Sequence, residues 1–528
     1  MKKLFKILIF STALLCLPVD AVDLTVEEGD FIQGEFSAEA NNGLDLSVDF
    51  PDHSQRLLAR NVQGKRLFML VAESSGTLRF NVTDSMNSTA SKNYRLHIER
   101  QIPRAEQVAL PPDYLSPTIR RLAEQLASVD ESQHTKLLNE FWQKVARQGT
   151  PLIENSRTAQ QNLVTFLWRG AQHNVILWGG PTADHTHLQR LLNTDIWFAT
   201  FDIPNDTLLS YGFAPDVPTL PLPAAKQRRT LLATLQTDPF NLHSYPNVTQ
   251  DKSAVKILDR FNRRATLRLA AAPKSDDLQT QDVAHGKLQS TNFHSDLLYN
   301  SRRIIIYTPV NFTTATAVSM DWNLLFFFDA ADYLEQIPTP TILDNMQASG
   351  KLTPTIAVFI DSPSYQTRAD ELPPNPRFAQ MLAEELYPWV TQRLGINPSA
   401  KRTALIGSSY GGLAATYVAS RYPHLFGNVL AMSGSFWWKS PAAPSEQNNY
   451  VAHYFATHAK LPLKFFISAG RYETLGNEQS ILANSRQLKD VLIAKGYEVT
   501  YREYSSGHDY FAWQTILSDS LYSLLSEQ

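Results

Sequence analysis

Residues 403–422 read TALIGSSYGGLAATYVASRY, and this stretch decides the fold. The apolar run Thr403-Ala-Leu-Ile has the length of a buried strand, and GLAATYVASRY reads as a helix. Between them Gly407 and Gly411 bracket Ser409 in the frame G-x-S-x-G, while Ser408 is out of frame. G-x-S-x-G is a common string by chance; the strand before it and the helix after it give it meaning. A hydroxyl on so tight a bend needs small residues two positions to either side, or side chains collide. The bend also brings the Tyr410 N–H to a helix start, where it can bind a developing oxyanion. One such donor contributes roughly 3–4 kcal/mol of transition-state stabilisation.

The neighbourhood follows the same grammar. From about Ser295 onward, strand-length apolar runs alternate with amphipathic stretches: Arg303-IIIYTP, Asn323-LLFFFD, Thr355-IAVFID, Asn428-VLAMS, Lys464-FFISAG and Val499-TYREY. Helices are predicted over Arg377 to Leu394 and Glu478 to Lys495, ended by Gly395 and Gly496. Continuous apolar strands alternating with helices mean a mostly parallel sheet covered on both faces. With Ser409 on its bend, this is the pattern of an α/β-hydrolase domain.

Serine is a poor nucleophile at neutral pH and needs a base, which in this class is a histidine after the last strand. His508, in SSGHDYFAW, holds that place; His424 and His453 do not follow a terminal strand. The orienting acid falls after the strand between nucleophile and histidine, where Glu473 stands in KFFISAGRYE. Glu478, Asp490 and Asp509 are rivals, and a Ser-His dyad without an acid is the remaining option. A second oxyanion donor is expected from the loop in FFFDAAD, at Ala330 or Ala331, with Ala330 the choice.

The 528-residue length exceeds one core and predicts about three domains. Hydrophobic residues make up 43% and charged residues 19%, with a net charge of -3, so nothing points to nucleic acid. Residues 1–21 read as a signal peptide: Lys2, Lys3 and Lys6, an apolar run from Ile7 to Leu17, and Val19-Asp20-Ala21 as cleavage site. The run is too short to span a bilayer and no later segment spans one, so the expectation is a periplasmic or secreted product without stable membrane insertion. Cys16, the single cysteine, lies in that signal, so the mature chain would have neither disulfide nor thiolate metal site.

Residues 22–103 carry short alternating runs broken by turns, a β-sandwich pattern that resembles the pre-peptidase C-terminal type of accessory domain. Residues 104–150 form a helical connector, with apolar residues from Ile119 to Val145 at helical spacing. Residues 151–280 return to strands (LVTFLWRG, NVILWGG, DIWFATFDI) and read as a second sandwich, followed by the hydrolase domain at 281–528. His185 and His187 have no matching third metal ligand and read as part of a polar loop. Neither a cofactor nor a metal is called for.

One family resemblance emerges. GSSYGGLAATYVASRYPHLFGNVLAMSGSFWW, with TRADELPPN before it and GHDYFAW after it, is similar to the enterobactin (enterochelin) esterases. Upstream, FWQKVARQGTPLIE, VTFLWRG, TDIW, SYGF and DPFN resemble the amino-terminal domain of the longer members, so the likeness runs from about Phe141 to the C-terminus. It implies hydrolysis of the esters of a cyclic trilactone catecholate siderophore, free or as its ferric complex, and it carries the triad roles onto Ser409, His508 and Glu473. The chain departs from the long members, which are typically cytoplasmic, in its export signal and leading sandwich. Because a ferric tricatecholate is anionic and aromatic, its pocket should offer cations and flat rings. Arg368, Lys439, Arg471, Trp437 and Trp438 are the substrate-binding candidates, with Asn375 for a polar contact. Alternatives are a carbohydrate-ester (acetyl or feruloyl) esterase, an acyltransferase, and a non-catalytic protein that binds siderophore or polysaccharide.

Overall fold

The computed structural model describes residues 21–39, 43–84, 93–107, 114–182, 185–246, 260–440, 449–476, 480–526. The signal segment with Cys16, as well as Asp184 and Glu478, lies outside them. The chain forms two compact units, Met1–Asp113 and Tyr114–Gln528.

In the first unit, a four-stranded antiparallel sheet runs in the order Ala21–Val26, Gly76–Asp84, Leu44–Asp49, Gln55–Val62. A second antiparallel sheet orders Gly64–Val71, Phe31–Ala38, Tyr94–Ile102. Strict alternation along Phe31–Ala38 turns every second residue inward. Ile32, Phe36, Leu46, Val48, Leu78 and Phe80 build one shared core.

The second unit opens with helices Pro117–Ser128 and Glu131–Gln148. Ser116 caps the first by accepting from Ile119 N, and Gly149, at φ 79°, ends the second. Phe141, Trp142 and Val145 bury against Leu167, Ile196 and Phe198 of the middle sandwich. That sandwich has one sheet ordered Thr186–His187, Val175–Trp178, Leu208–Pro215, Arg264–Arg268, Ser244–Tyr245. Its other sheet is ordered Gln189–Arg190, Ile196–Pro204, Gln161–Arg169, Leu152–Asn155. The sequence reading sees only strands here, yet Ala224–Thr234 is a helix.

The catalytic sheet has eight strands: β1 (Lys287–Ser295), β2 (Asn300–Thr308), β3 (Asn323–Phe328), β4 (Thr355–Ile360), β5 (Thr403–Ser408), β6 (Asn428–Met432), β7 (Lys464–Gly470) and β8 (Glu498–Tyr504). Their spatial order is β1-β2-β4-β3-β5-β6-β7-β8, antiparallel where β2 meets its neighbours and parallel from β4 to β8. Successive side chains point to opposite faces, and both faces are covered. Leu324, Phe326 and Phe328 of β3 enter one core with helices Tyr410–Arg421 and Ile481–Ala494. Leu325 and Phe327 enter the other, with the C-terminal helix Tyr510–Leu525. That is why these strands read as unbroken apolar runs.

Two differences from expectation concern the rim. β1 extends the sheet beyond the first strand that the apolar runs reveal, and most of its side chains are exposed. The helix predicted over 377–394 is helical throughout but contains a π stretch, Met381–Leu386, between Pro376–Gln380 and Tyr387–Leu394. There Glu385 accepts from Asp296 N, Leu297 N and the Ser295 hydroxyl, fixing the β1–β2 turn. No helix among the described residues is long and apolar enough to cross a membrane.

Candidate active site

Ser409 follows β5 directly and caps helix Tyr410–Arg421 at φ 57°, ψ -123°, a conformation that L residues seldom adopt. Three backbone bonds hold it there: Ser409 N donates to Met432 O at 3.1 Å, and its carbonyl accepts from Leu413 N at 3.2 Å and Ser435 N at 2.9 Å. Of the two flanking glycines, Gly407 is sterically required and Gly411 is tightly packed. A Cβ on Gly407 would stand 2.4 Å from the Gly411 carbonyl carbon, and one on Gly411 3.3 Å from Phe328 Cβ. Ser408 is buried, and the Ser409 hydroxyl lies 3.3 Å from that of Ser435.

Glu473 and His508, 35 residues apart, meet. Glu473 Oε1 is 2.5 Å from His508 Nδ1, and Oε2 accepts from Gly470 N at 2.6 Å. The carboxylate is 3% exposed and the imidazole 39%, so a buried acid holds a ring that reaches solvent. With Nδ1 facing the carboxylate, Nε2 is the nitrogen available for proton transfer. Trp513 meets the imidazole edge-on at 4.9 Å, and its indole N–H donates to Ser433 just after β6. The rivals stand elsewhere. Asp509 accepts from Ala512 N and Ser210 N; Asp490 pairs with its neighbour Lys489; His424 and His453 are exposed.

Ala330 begins helix Ala330–Glu335 after Asp329, which sits in the left-handed region at φ 59°. Ala331 N already donates to Asp361. The Asp329 carboxylate, 3% exposed, accepts a two-pronged contact from Arg368 at 2.6 and 2.7 Å. Arg368 in turn lies over the Tyr410 ring at 5.8 Å, and Trp437 approaches that ring at 6.0 Å. Arg368 and Trp437 thus gather around the ring of Tyr410, the residue after Ser409. Asn375 instead caps Pro376–Gln380 and donates to Asp370 O. Trp438 packs edge-on against Tyr450, Lys439 is exposed, and Arg471 bonds Ser505 and pairs with Asp206 of the middle sandwich. Sequence reasoning passed over Ser435 and Asp329, both polar residues at the C-terminal end of a buried strand.

This strand order, with a serine on the bend after β5 and an acid–histidine pair after β7 and β8, defines an α/β hydrolase. Residues 163–277 match the model of the enterochelin esterase N-terminal domain, and residues 295–524 that of a putative esterase family. The iron(III) enterobactin esterase of Yersinia enterocolitica is 30% identical over 334 residues, 58% of this chain and 88% of that protein. That of Dickeya dadantii is 29% identical over 420 residues, 73% and 92%. A crystal structure of the Shigella flexneri enterobactin esterase, obtained in the presence of 2,3-dihydroxy-N-benzoyl-serine, superposes with a TM-score of 0.56 at 25% identity, covering 73% of this chain and 97% of that one. The chain belongs to the enterobactin esterase family, and it is an esterase.

Proposed function

We propose that this protein hydrolyses the ester bonds of an enterobactin-like trilactone siderophore through an acyl-enzyme on Ser409, as a step in iron acquisition. The observation that carries the reading is the strained bend at Ser409 on the same sheet edge as the 2.5 Å Glu473–His508 contact. In this reading the Ser409 hydroxyl gives its proton to His508 Nε2 as its oxygen attacks the ester carbonyl. The charge on the carbonyl oxygen is met by the N–H groups of Tyr410 and Ala330. As the ester C–O bond breaks, the imidazolium returns the proton to the departing alkoxide; water then repeats the sequence and frees the acid. Glu473 fixes the tautomer and stabilises the imidazolium.

Support for the substrate comes from relatives named iron(III) enterobactin esterases. Trp437, beside the Tyr410 ring, offers a flat face to a catechol ring, while the Arg368 charge over the same ring is balanced by Asp329. The reading includes a periplasmic or extracellular reaction, which rests on the export signal expected from the sequence of residues 1–21.

The test is Ser409→Ala incubated with ferric and iron-free enterobactin, with products followed by mass spectrometry. Wild type should release linear fragments and form a fluorophosphonate adduct on Ser409, and the variant should do neither while staying folded. Turnover by the variant would refute the nucleophile. Activity confined to feruloylated xylan would refute the substrate.

A further inference from the structure

The loops bearing Glu473 and His508 are also gripped from outside the hydrolase domain. Residues 206–210 form the end of a turn and the start of strand Leu208–Pro215 in the middle sandwich. Within these five residues the chain touches both loops. Thr207 is fully buried and donates its hydroxyl proton to Pro204 O at 2.7 Å, so at 2.8 Å from Tyr472 OH it must accept. Tyr472, the residue before Glu473, sends its ring into the sandwich core that contains Leu209 and Tyr211. Leu208 N donates to Ser505 O at 2.9 Å, and the Ser505 hydroxyl donates to Asp206 at 2.6 Å. Ser210 N donates to Asp509, the residue after His508, at 3.4 Å. The two loops are further stitched to each other, Arg471 N to Tyr504 O and Tyr472 N to Ser506 O.

Resting on the assignment of Glu473 and His508 above, we infer that Asp206, Thr207 and Ser210 of the middle sandwich are positioning residues for the acid–histidine pair. The hydrolase domain's own strands fix Ser409 from β5 and β6. The far half of the triad depends on a second domain, through bonds at Tyr472, Ser505 and Asp509, each within three residues of Glu473 or His508. A displacement of about 1 Å at such a pair is enough to lower turnover about a hundredfold. The middle sandwich therefore acts on the chemical step in addition to whatever siderophore contacts it makes.

The experiment uses the full chain with Thr207→Val, which keeps the shape of the side chain and removes the acceptor for Tyr472. Expected is a fall in kcat on enterobactin of about tenfold or more, a KM within about twofold, and an equal fall in the rate at which a small fluorophosphonate labels Ser409. A purely structural role would lower the melting temperature and leave the labelling rate of the folded variant unchanged, which overturns the inference. A rise in KM alone would mark a substrate contact and overturns it too. Should Thr207→Val not fold, Tyr472→Phe removes the same bond by deleting one oxygen and is read in the same way. Ser409→Ala run alongside separates the two levels: labelling or turnover surviving there sinks the triad itself, whatever residue 207 does.

Discussion

Ser409 is held at φ 57°, ψ -123° by three backbone bonds, and such a conformation costs about 1–3 kcal/mol in a residue with a Cβ. Glycine adopts it freely, so Ser409→Gly is expected to abolish turnover and raise stability by up to about 1 kcal/mol. A lower denaturation midpoint in that variant would show that the bend is not strained. Glu473→Gln keeps the size of the side chain but leaves His508 Nδ1 without an anion, and kcat should fall by roughly 10²–10⁴ with KM little changed. Burial pushes the Asp509 carboxyl up to about 6, against about 3.9 in an unfolded chain. Through that window the folded state holds a proton that the unfolded state has released, so this group's contribution to stability falls as pH rises. Asp509→Asn, which can still cap Ala512, should therefore gain in melting temperature over wild type at pH 7 relative to about pH 4; an equal difference at both would exclude this titration. The sequence singled out Ser409 and His508 as candidates because each is defined by the element next to it. For the acid it favoured Glu473 and kept Glu478, Asp490, Asp509 and a dyad without an acid as alternatives, because that choice depends on which way a carboxylate points. Asp509 adjoins His508 in the chain, yet it turns to Ala512 N and Ser210 N.

At the scale of elements, β2 is tied to helix Tyr365–Glu371 by a buried ion pair. Arg302, with 1% of its side chain exposed, gives two 2.9 Å bonds to Glu371, which also accepts from Asn300. Removing one partner strands the other charge, so Arg302→Met should cost about 3–5 kcal/mol in chemical denaturation, whereas a cost under about 1 kcal/mol would mean that water reaches Glu371. The same helix presents Arg368 to Asp329, so this pair also steadies the floor beside Tyr410. Central strands were legible because burial on both faces demands unbroken apolar runs, as in Asn323–Phe328. The edge strand Lys287–Ser295 was not, since only Phe293 and Ser295 of it are buried. Nor was Ala224–Thr234, where three basic residues and a weak apolar stripe gave no periodic signal. The π stretch at Met381–Leu386 has no sequence signature either, and Glu385 within it bonds a turn distant in the chain.

For the molecule as a whole, the first unit has a hydrophobic core of its own, built from Ile32, Phe36, Leu46 and Phe80. A chain starting at Tyr114 is accordingly expected to fold and to hydrolyse small esters within roughly twofold of the full chain's kcat/KM; loss of activity would show that the leading sandwich serves the chemistry. The change in periodicity along the chain suggested an order of domains. The dependence of one domain on another could not be read there, because the Thr207–Tyr472 contact joins residues 265 apart and neither belongs to a motif. Tyr472 belongs by sequence to the hydrolase domain and by packing to the sandwich. On heating, the sandwich cannot melt without pulling this ring, and the acid next to it, out of place. Calorimetry of the second unit should then show one cooperative endotherm coinciding with thermal inactivation, with no warm state in which the esterase still works beside an already disordered neighbour.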